Sequence, residues 1–494
     1  MKLLCAIFLS LLVSSMSFAE EPWRFIVTCD SRGRDNGINE LILDELVSEI
    51  IKLEADFVVF PGDLVYGYSA AGPSRFESQL RTWVSAMEPV YDANIAVYVT
   101  RGNHELGDVW GIYPGTGADP NDNYAQRWLN VFGSDWHPEQ KLPGNGPAGE
   151  EHMTYSITHK NAFIACLDQY AGVKHEFAHK VNQAWLGAQL AANTKPHIFA
   201  AGHEPAFRAL PRDCLDKYPA DRDAFWTSIK NAGGRTYLCG HDHFYDHARV
   251  DDGDGDASND IHQYIVGTAG AALYTWSPPY DGNNTDYTVQ QLHHARRCGY
   301  VLVEIDGLDV SLTWMERNSD NVSVPGTYEP EESWSYKVVP RPIILSPNGG
   351  ESLAAASVCP ITWKTVEGAQ IEYVLLEYSS DNGQSWEDID ISENAGSYEW
   401  VIPVVDSNQC LVRVSDLADG AVSDTSDGVF TIFQCQRELA GDLNGDCYVD
   451  WLDFAILAGD LNGDCCVDWL ELAVLWRDWL KCANPFDPSC AEQE

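Results

Sequence analysis

RFIVTCD at residues 24–30, LILDELVSEIIKLE at 41–54 and FVVFPGD at 57–63 form a strand-like apolar run, a helix-period stretch and a second strand-like run. After a polar helical segment comes IAVYVTRGNHE at 95–105, and this alternation predicts an α/β layered fold. Each apolar run closes on a short polar cluster. Loops just past the carboxyl ends of strands are where α/β sheets collect their ligands, so the clusters are where chemistry is expected.

Five clusters follow one another: CDSR at 29–32, GDLVY at 62–66, GNHE at 102–105, AGHEP at 201–205 and GHDH at 240–243. They supply Asp30, Asp63, Asn103, His203, His241 and His243, a set of hard oxygens and imidazoles suited to paired divalent or ferric ions. Singly, a GD is usually a turn and a buried histidine usually satisfies a core hydrogen bond. The succession, with each cluster closing a strand-like run, is what points to a metal site.

With these clusters, residues 23 to about 317 resemble the calcineurin-like metallophosphoesterases. The resemblance implies a four-layered αββα sandwich with a dinuclear site at the strand ends. It implies that Asp63 bridges two metals, that Asp30 and His243 bind the first, that Asn103, His203 and His241 bind the second, and that His104 faces substrate. Most of that superfamily carries D-x-H in the first cluster, whereas this chain has Asp30-Ser31-Arg32. GDLVY places Tyr66 three residues beyond Asp63, as in the G-D-x-x-Y cluster of purple acid phosphatases, the branch that the chain looks closer to. That likeness makes Tyr66 a phenolate ligand and the metals iron paired with iron, zinc or manganese. The other reading of Tyr66 is a ring packed over the site while Arg32 pairs with substrate phosphate.

Two cations held ~3.5–4 Å apart clamp a phosphoryl oxygen and lower the pKa of a bound water towards neutrality, so hydroxide attacks phosphorus directly. His104, with Glu105 beside it, is the candidate proton donor to the leaving alkoxide, and Arg32 is the candidate partner of the phosphate. The expected function is hydrolysis of phosphate esters. The alternative is a surface-binding or scaffold protein on a phosphoesterase fold with weakened catalysis, suggested by Arg32 in a ligand position. A Gly-rich phosphate loop and a G-x-S-x-G elbow are both missing from the sequence.

The rest of the chain sets the context. Residues 1–19, MKLLCAIFLSLLVSSMSFA, read as a secretory signal peptide whose apolar run is shorter than the ~20 residues of a membrane span, so a secreted, extracellular, periplasmic or cell-surface protein is expected. The net charge of −43 argues against nucleic acid as a bulk partner. Loss of Cys5 from the 14 cysteines leaves an odd number, so at least one thiol stays unpaired. Trp110, Tyr113, Tyr124, Tyr170 and Trp276 are candidates for a cleft lining or for burial, and DDGDGDASND at 251–260 reads as a solvated acidic turn in preference to a calcium loop.

The catalytic unit is expected over 20–335. Short β-rich runs with turns such as SDNGQSW then predict an immunoglobulin- or fibronectin-like β-sandwich over 336–436, in which Cys359 and Cys410 could bridge the sheets. Over 437–494 a repeat at an offset of eighteen places Asp442, Asn444, Asp446, Asp450 and Asp453, then Asp460, Asn462, Asp464, Asp468 and Glu471, at calcium-loop positions. This small helical module resembles a type I dockerin, which implies calcium and a cohesin-like or cell-surface scaffold partner. It departs from that pattern in its shorter repeat and in Cys447 and Cys465 at position 6, where calcium loops usually carry glycine.

Overall fold

The computed structural model describes residues 21–435 apart from 34–35, 68–72, 107–122, 134–138, 171–178, 211–213, 278–279 and 281–286, and beyond 435 only residues 442, 447–449, 454 and 479. The signal-peptide reading of residues 1–19 therefore lies outside the described residues, as do Trp110 and Tyr113.

The apolar runs of the sequence become the central strands of two sheets. In the first, β1 (Trp23–Val27), β2 (Phe57–Pro61) and β3 (Ala96–Thr100) are parallel neighbours, extended by β11 (Gly299–Asp306), β12 (Asp309–Arg317) and β13 (Tyr328–Lys337) in the order β13-β12-β11-β1-β2-β3. The second sheet is built from β4 (Tyr155–His159), β5 (Ala162–Leu167), β6 (His197–Gly202), β7 (Thr236–Cys239), β8 (Tyr245–Asp251), β9 (Ile261–Val266) and β10 (Thr288–Ala295), in the order β10-β8-β9-β7-β6-β5-β4. Within it β5, β6, β7 and β9 run parallel. Strands β2, β5, β6 and β9 are buried along their whole length, which is why β2 and β5 read as continuous apolar runs and not as alternation.

One core fills the space between the sheets and extends under the helices of the first. It joins Phe25, Val27, Val59 and Val303 of the first sheet to Ile164, Phe199, Leu238 and Tyr264 of the second. Helices α1 (Glu40–Lys52), α2 (Pro73–Asp92) and α3 (Asn123–Phe132) pack on this core through residues such as Leu46, Trp83 and Trp128. In α1, Ile42, Leu43, Leu46, Val47 and Ile50 recur at helical spacing on the buried face, and the Asn39 side chain caps the first turn by accepting from Ile42 N. A separate core on the second sheet's other face receives α4 (Gln183–Ala192) and α5 (Pro219–Asn231) through Leu186, Leu190, Phe225 and Ile229. Helices, sheet, sheet and helices make four layers.

Strands β14 (Pro342–Ser346), β16 (Val358–Thr365) and β19 (Ser397–Val401) form a three-stranded sheet. It shares a core, centred on Trp363, Trp400 and Val412, with a second sheet of β15 (Ser352–Ala354), β22 (Phe430–Phe433), β20 (Ser407–Asp416), β17 (Tyr373–Ser379), β18 (Glu387–Glu393) and β21 (Ser423–Thr425). Cys359 and Cys410 are separate thiols here, so the bridge between sheets expected as one option is not formed; Cys410 is a buried core residue beside Val412 and Ile432. The β-rich unit is tied to α4 and α5. Lys364 Nζ donates to Ala191 O (3.1 Å), Glu367 pairs with Lys195 (2.7 Å), and Arg341 donates to Asn231 O (3.2 Å).

Of the tail, Cys435 and Cys447 are disulfide-bonded, and Cys447 takes a left-handed backbone (φ 72°), the conformation for which position 6 of a calcium loop usually needs glycine. Asp442 accepts from Cys447 N at 2.9 Å. The remaining loop residues of the dockerin-like reading, Asn444, Asp446, Asp450, Asp453, Asp460, Asn462, Asp464, Asp468 and Glu471, lie outside the described residues, so its helical module is not seen. Among the described residues no helix is long and apolar enough to cross a membrane.

Arg317, fully buried at the end of β12, fastens the first sheet to α1. Its Nε and Nη2 donate to Glu45 (2.7 and 3.0 Å), its Nη1 donates to Ser319 O (2.6 Å), and Nη2 also donates to Val324 O. Removing one partner of a buried, multiply hydrogen-bonded ion pair leaves the other charge uncompensated. We therefore expect Arg317→Ala to destabilise the domain by about 3 kcal/mol, read as a lower midpoint of urea unfolding.

Candidate metal centre

All five clusters sit where parallel strands end. Asp30 follows β1, Asp63 follows β2, Asn103 and His104 follow β3 in a 3₁₀ turn (Asn103–Leu106), His203 follows β6, and His241 and His243 follow β7. Because β1, β2 and β3 in one sheet and β6 and β7 in the other point their carboxyl ends the same way, one rim of the sandwich collects residues far apart in sequence. Three of them, Asp30, Asp63 and His241, hold left-handed backbones (φ 64°, 50° and 68°), a strained conformation for non-glycine residues that recurs at functional sites.

The glycines of the clusters have a steric task. A Cβ on Gly102 would lie 2.2 Å from Asp63 Oδ1, and one on Gly240 would lie 2.3 Å from Asp30 Oδ2. At these two positions the motif supplies a backbone that lets a carboxylate approach.

Two histidines are anchored on the outer ring nitrogen. His203 Nδ1 donates to Pro61 O (2.9 Å) and His243 Nδ1 to Ala272 O (2.8 Å), which fixes the tautomer and turns each Nε2 inward. His203 Nε2 then lies 3.4 Å from Asp63 Oδ1 and 3.2 Å from Asn103 Oδ1; His243 Nε2 lies 3.3 Å from Asp30 Oδ1. His241 Nδ1 is 3.0 Å from Asn103 Oδ1 and 3.3 Å from His203 Nε2, while its Nε2 is buried with no hydrogen-bond partner among the described residues. Ligand atoms of Asp30, Asp63 and His243 all fall within 4.8 Å of one another. Buried carboxylates and imidazoles that crowd one another with few hydrogen bonds fit a pair of cations, so the donor set agrees with the group the fold implies.

The electrostatics agree. Burial alone would raise the Asp63 carboxyl, yet His104, His203 and Arg32 hold it well below the usual carboxylate range. Asp30 is lowered too, burial being outweighed by His243 and His203. His203 is raised in spite of burial by Asp63 and Asp30, whereas burial pushes His104 down to about 4, Arg32 adding to the effect.

Of the residues expected to face substrate, His104 is buried, donates from Nδ1 to Tyr66 O (2.6 Å), and aims Nε2 at the Arg32 guanidinium. Glu105 is turned the other way: its carboxylate accepts from the backbone of Asp63 (3.0 Å), Val65 (3.2 Å) and Gly102 (2.7 Å). Those three bonds tie the second and third clusters together and turn the Glu105 carboxylate away from the space that His104 Nε2 faces. Tyr66 is half-buried, with its ring tilted over His104 at 5.8 Å between centroids. Arg32 reaches in from the first loop, its Nη2 2.7 Å from His243 Nε2 and its Nε 3.4 Å from Asp63 Oδ2.

Other residues group as follows. Tyr170 is buried with its ring 6.5 Å from His203, Trp276 stacks on Phe244 beside His243, and Tyr124 packs on Phe76. His247 hydrogen-bonds Glu332 and His262, which makes it part of a buried polar cluster on β8, β9 and β13. The acidic turn at 251–260 is a hairpin tip in which Lys230 pairs with Asp252 and Asp254. Sequence reasoning missed the segment 267–274 after β9, which bonds Cys29 O, Asp30 O and His243 from Ala269, Ala271 and Tyr274; only its proximity in the fold reveals it.

The layered α/β sandwich that carries two aspartates, an asparagine and three histidines at its strand ends is metallophosphoesterase-like. Residues 24–245 match the calcineurin-like phosphoesterase family. The chain is also similar to tartrate-resistant acid phosphatase type 5 of Rattus norvegicus, 24% identical over 294 residues that cover 56% of this chain and 80% of the relative. The Oryctolagus cuniculus protein of the same name is 22% identical over 337 residues, 65% and 95% of the two chains, and that of Mus musculus 26% over 224 residues, 43% and 62%. The match and these relatives support a phosphoesterase hydrolase related at low identity to the purple acid phosphatases, and they imply a dinuclear metal site.

Gly102→Ala tests the steric reading of the clusters. The added methyl pushes Asp63 out of position, so elemental analysis of the purified variant should find less than half of the wild-type transition-metal content while its circular dichroism stays native.

Proposed function

We propose that the protein hydrolyses phosphate esters at a dinuclear metal centre held by Asp30, Asp63, Asn103, His203, His241 and His243, with Tyr66 as a further ligand. The observation that carries this reading is the convergence of two buried carboxylates with histidines whose outer nitrogens are tied to backbone carbonyls. When bound, two such ions supply a water of lowered pKa and neutralise charge on the phosphoryl group. The chain's own residues bind and orient. His104 Nε2 faces the same space as the Arg32 guanidinium; in its imidazolium form, with both ring nitrogens protonated, His104 can hold a non-bridging oxygen beside Arg32 and give its Nε2 proton to the leaving oxygen.

In this reading iron occupies the first position with iron, zinc or manganese in the second, since a phenolate is a hard anionic ligand. Secretion, a spacer role for the β-rich unit and attachment through a calcium-loaded tail to a cohesin-like or surface scaffold complete the proposal; they are supported by the sequence motifs alone.

Chelation should abolish hydrolysis of p-nitrophenyl phosphate, and added metal should restore it. Asp63→Asn and His104→Ala should each lower kcat/KM by at least about a hundredfold, and retained turnover in Asp63→Asn rejects the mechanism. Two transition-metal ions per chain support the enzyme; one or none supports the alternative binding protein. For Tyr66 the readout is optical: the iron-loaded wild type should show a visible phenolate-to-iron absorption band that Tyr66→Phe loses.

A further inference from the structure

The segment 267–274, which carries none of the five clusters, lies against two of the loops that do. Ala269 N and Ala271 N donate to Cys29 O and Asp30 O, both at 2.8 Å, and Asn39 Nδ2 donates to Gly270 O at 2.8 Å. Beyond those anchors the chain passes over His243. Ala272 O takes the His243 Nδ1 proton, and Tyr274 N donates back to His243 O at 2.9 Å. The Tyr274 ring then lies flat on the imidazole, 4.1 Å between centroids at an interplanar angle of 17°. Its hydroxyl accepts from Arg32 Nη2 at 3.1 Å.

One side chain therefore contacts the two groups that differ most in their task, a histidine of the metal set and the arginine that takes the place of the usual first-cluster histidine. Arginine is long and loses much rotamer freedom when held in one place. Arg32 is held at its backbone by a bridge to Ile38, and its head contacts Tyr274, His104 and, at atoms that the proposed metals would take, His243 and Asp63. Of these, Tyr274 is the one partner that the proposed mechanism does not otherwise use. A guanidinium so held presents a planar fork matched to phosphate oxygens.

We propose that Tyr274 is the positioning residue of this centre, its ring fixing the plane of His243 and its hydroxyl holding the Arg32 guanidinium in the phosphate-binding pose. The proposal rests on the phosphoesterase reading above and adds to it a division of labour within one side chain. The two halves separate by mutation: Tyr274→Phe removes the hydroxyl and keeps the stacked ring, and Tyr274→Leu removes both.

The test uses the full-length, metal-loaded protein and two readouts, calorimetric titration with inorganic phosphate and steady-state hydrolysis of p-nitrophenyl phosphate. For Tyr274→Phe the phosphate Kd should rise roughly threefold to tenfold, the range of one lost ordinary hydrogen bond, and KM should rise more than kcat falls, with metal content at the wild-type level. In an Arg32→Gln background, which itself weakens phosphate more strongly, Tyr274→Phe should add nothing, because the hydroxyl acts through the guanidinium. Tyr274→Leu should lower metal content in addition, by loosening His243. A wild-type phosphate Kd in Tyr274→Phe, or effects of Tyr274→Phe and Arg32→Gln that simply multiply, overturns the proposal. Failure of the phosphoesterase reading looks different: the loaded wild type then hydrolyses no ester, and the phosphate titrations still decide the role of Tyr274.

Discussion

Asp30 and Asp63 are buried almost completely at the ends of adjacent parallel strands, and the architecture of the rim follows from keeping two such carboxylates ionised there. Burying an unpaired charge costs many kcal/mol, so the surroundings must supply opposing charge and donors. The Arg32 guanidinium brings positive charge, the backbone N–H of His104 donates to Asp63 and that of His241 to Asp30. Left-handed backbones at Asp30, Asp63 and His241 are the conformational cost of aiming these groups into one volume.

That cost is supportable because the scaffold beneath is stiff. Strands β2 and β6, whose ends deliver Asp63 and His203, are buried throughout, and the core between the sheets leaves their positions little freedom. Glu105 adds a local brace, its carboxylate joining Gly102 to Asp63 and Val65 so that the second and third clusters move as one. On the opposite face of the second sheet, Lys364 donates to the carbonyls at the carboxyl end of α4, where a cation also meets the negative end of the helix dipole. The β-rich unit is thereby fastened to the helical layer.

Much of this was legible along the chain. The apolar runs became β1, β2 and β3, the helix-period stretch at 41–54 became α1, and the five clusters converged, because buried parallel strands impose local sequence rules that survive in any tertiary context. The glycines were legible only as motif letters; their reason, the 2.2 Å approach of Asp63 Oδ1 to the Cβ position at Gly102, needed coordinates. The direction of Glu105 was not legible for a related cause, since adjacency to His104 says nothing about direction, and in the 3₁₀ turn the two side chains diverge. Cys359 and Cys410 lie in facing sheets as the β pattern predicts, yet remain thiols, because a strand pattern fixes which sheet a cysteine joins and not its distance from another.

By itself the sequence determined the α/β class of the first unit, the β-rich unit after it and the candidates for metal binding, since each is written in hydrophobic period and side-chain chemistry over short spans. Only the tertiary structure decided which way those residues face and what supports them. Tyr274 carries no motif and stands 242 residues from Arg32, and it meets both Arg32 and His243 because β9 ends beside β1 and β7. Long-range contacts of that kind depend on strand order and on where a loop crosses, and neither is encoded within any one stretch of the chain.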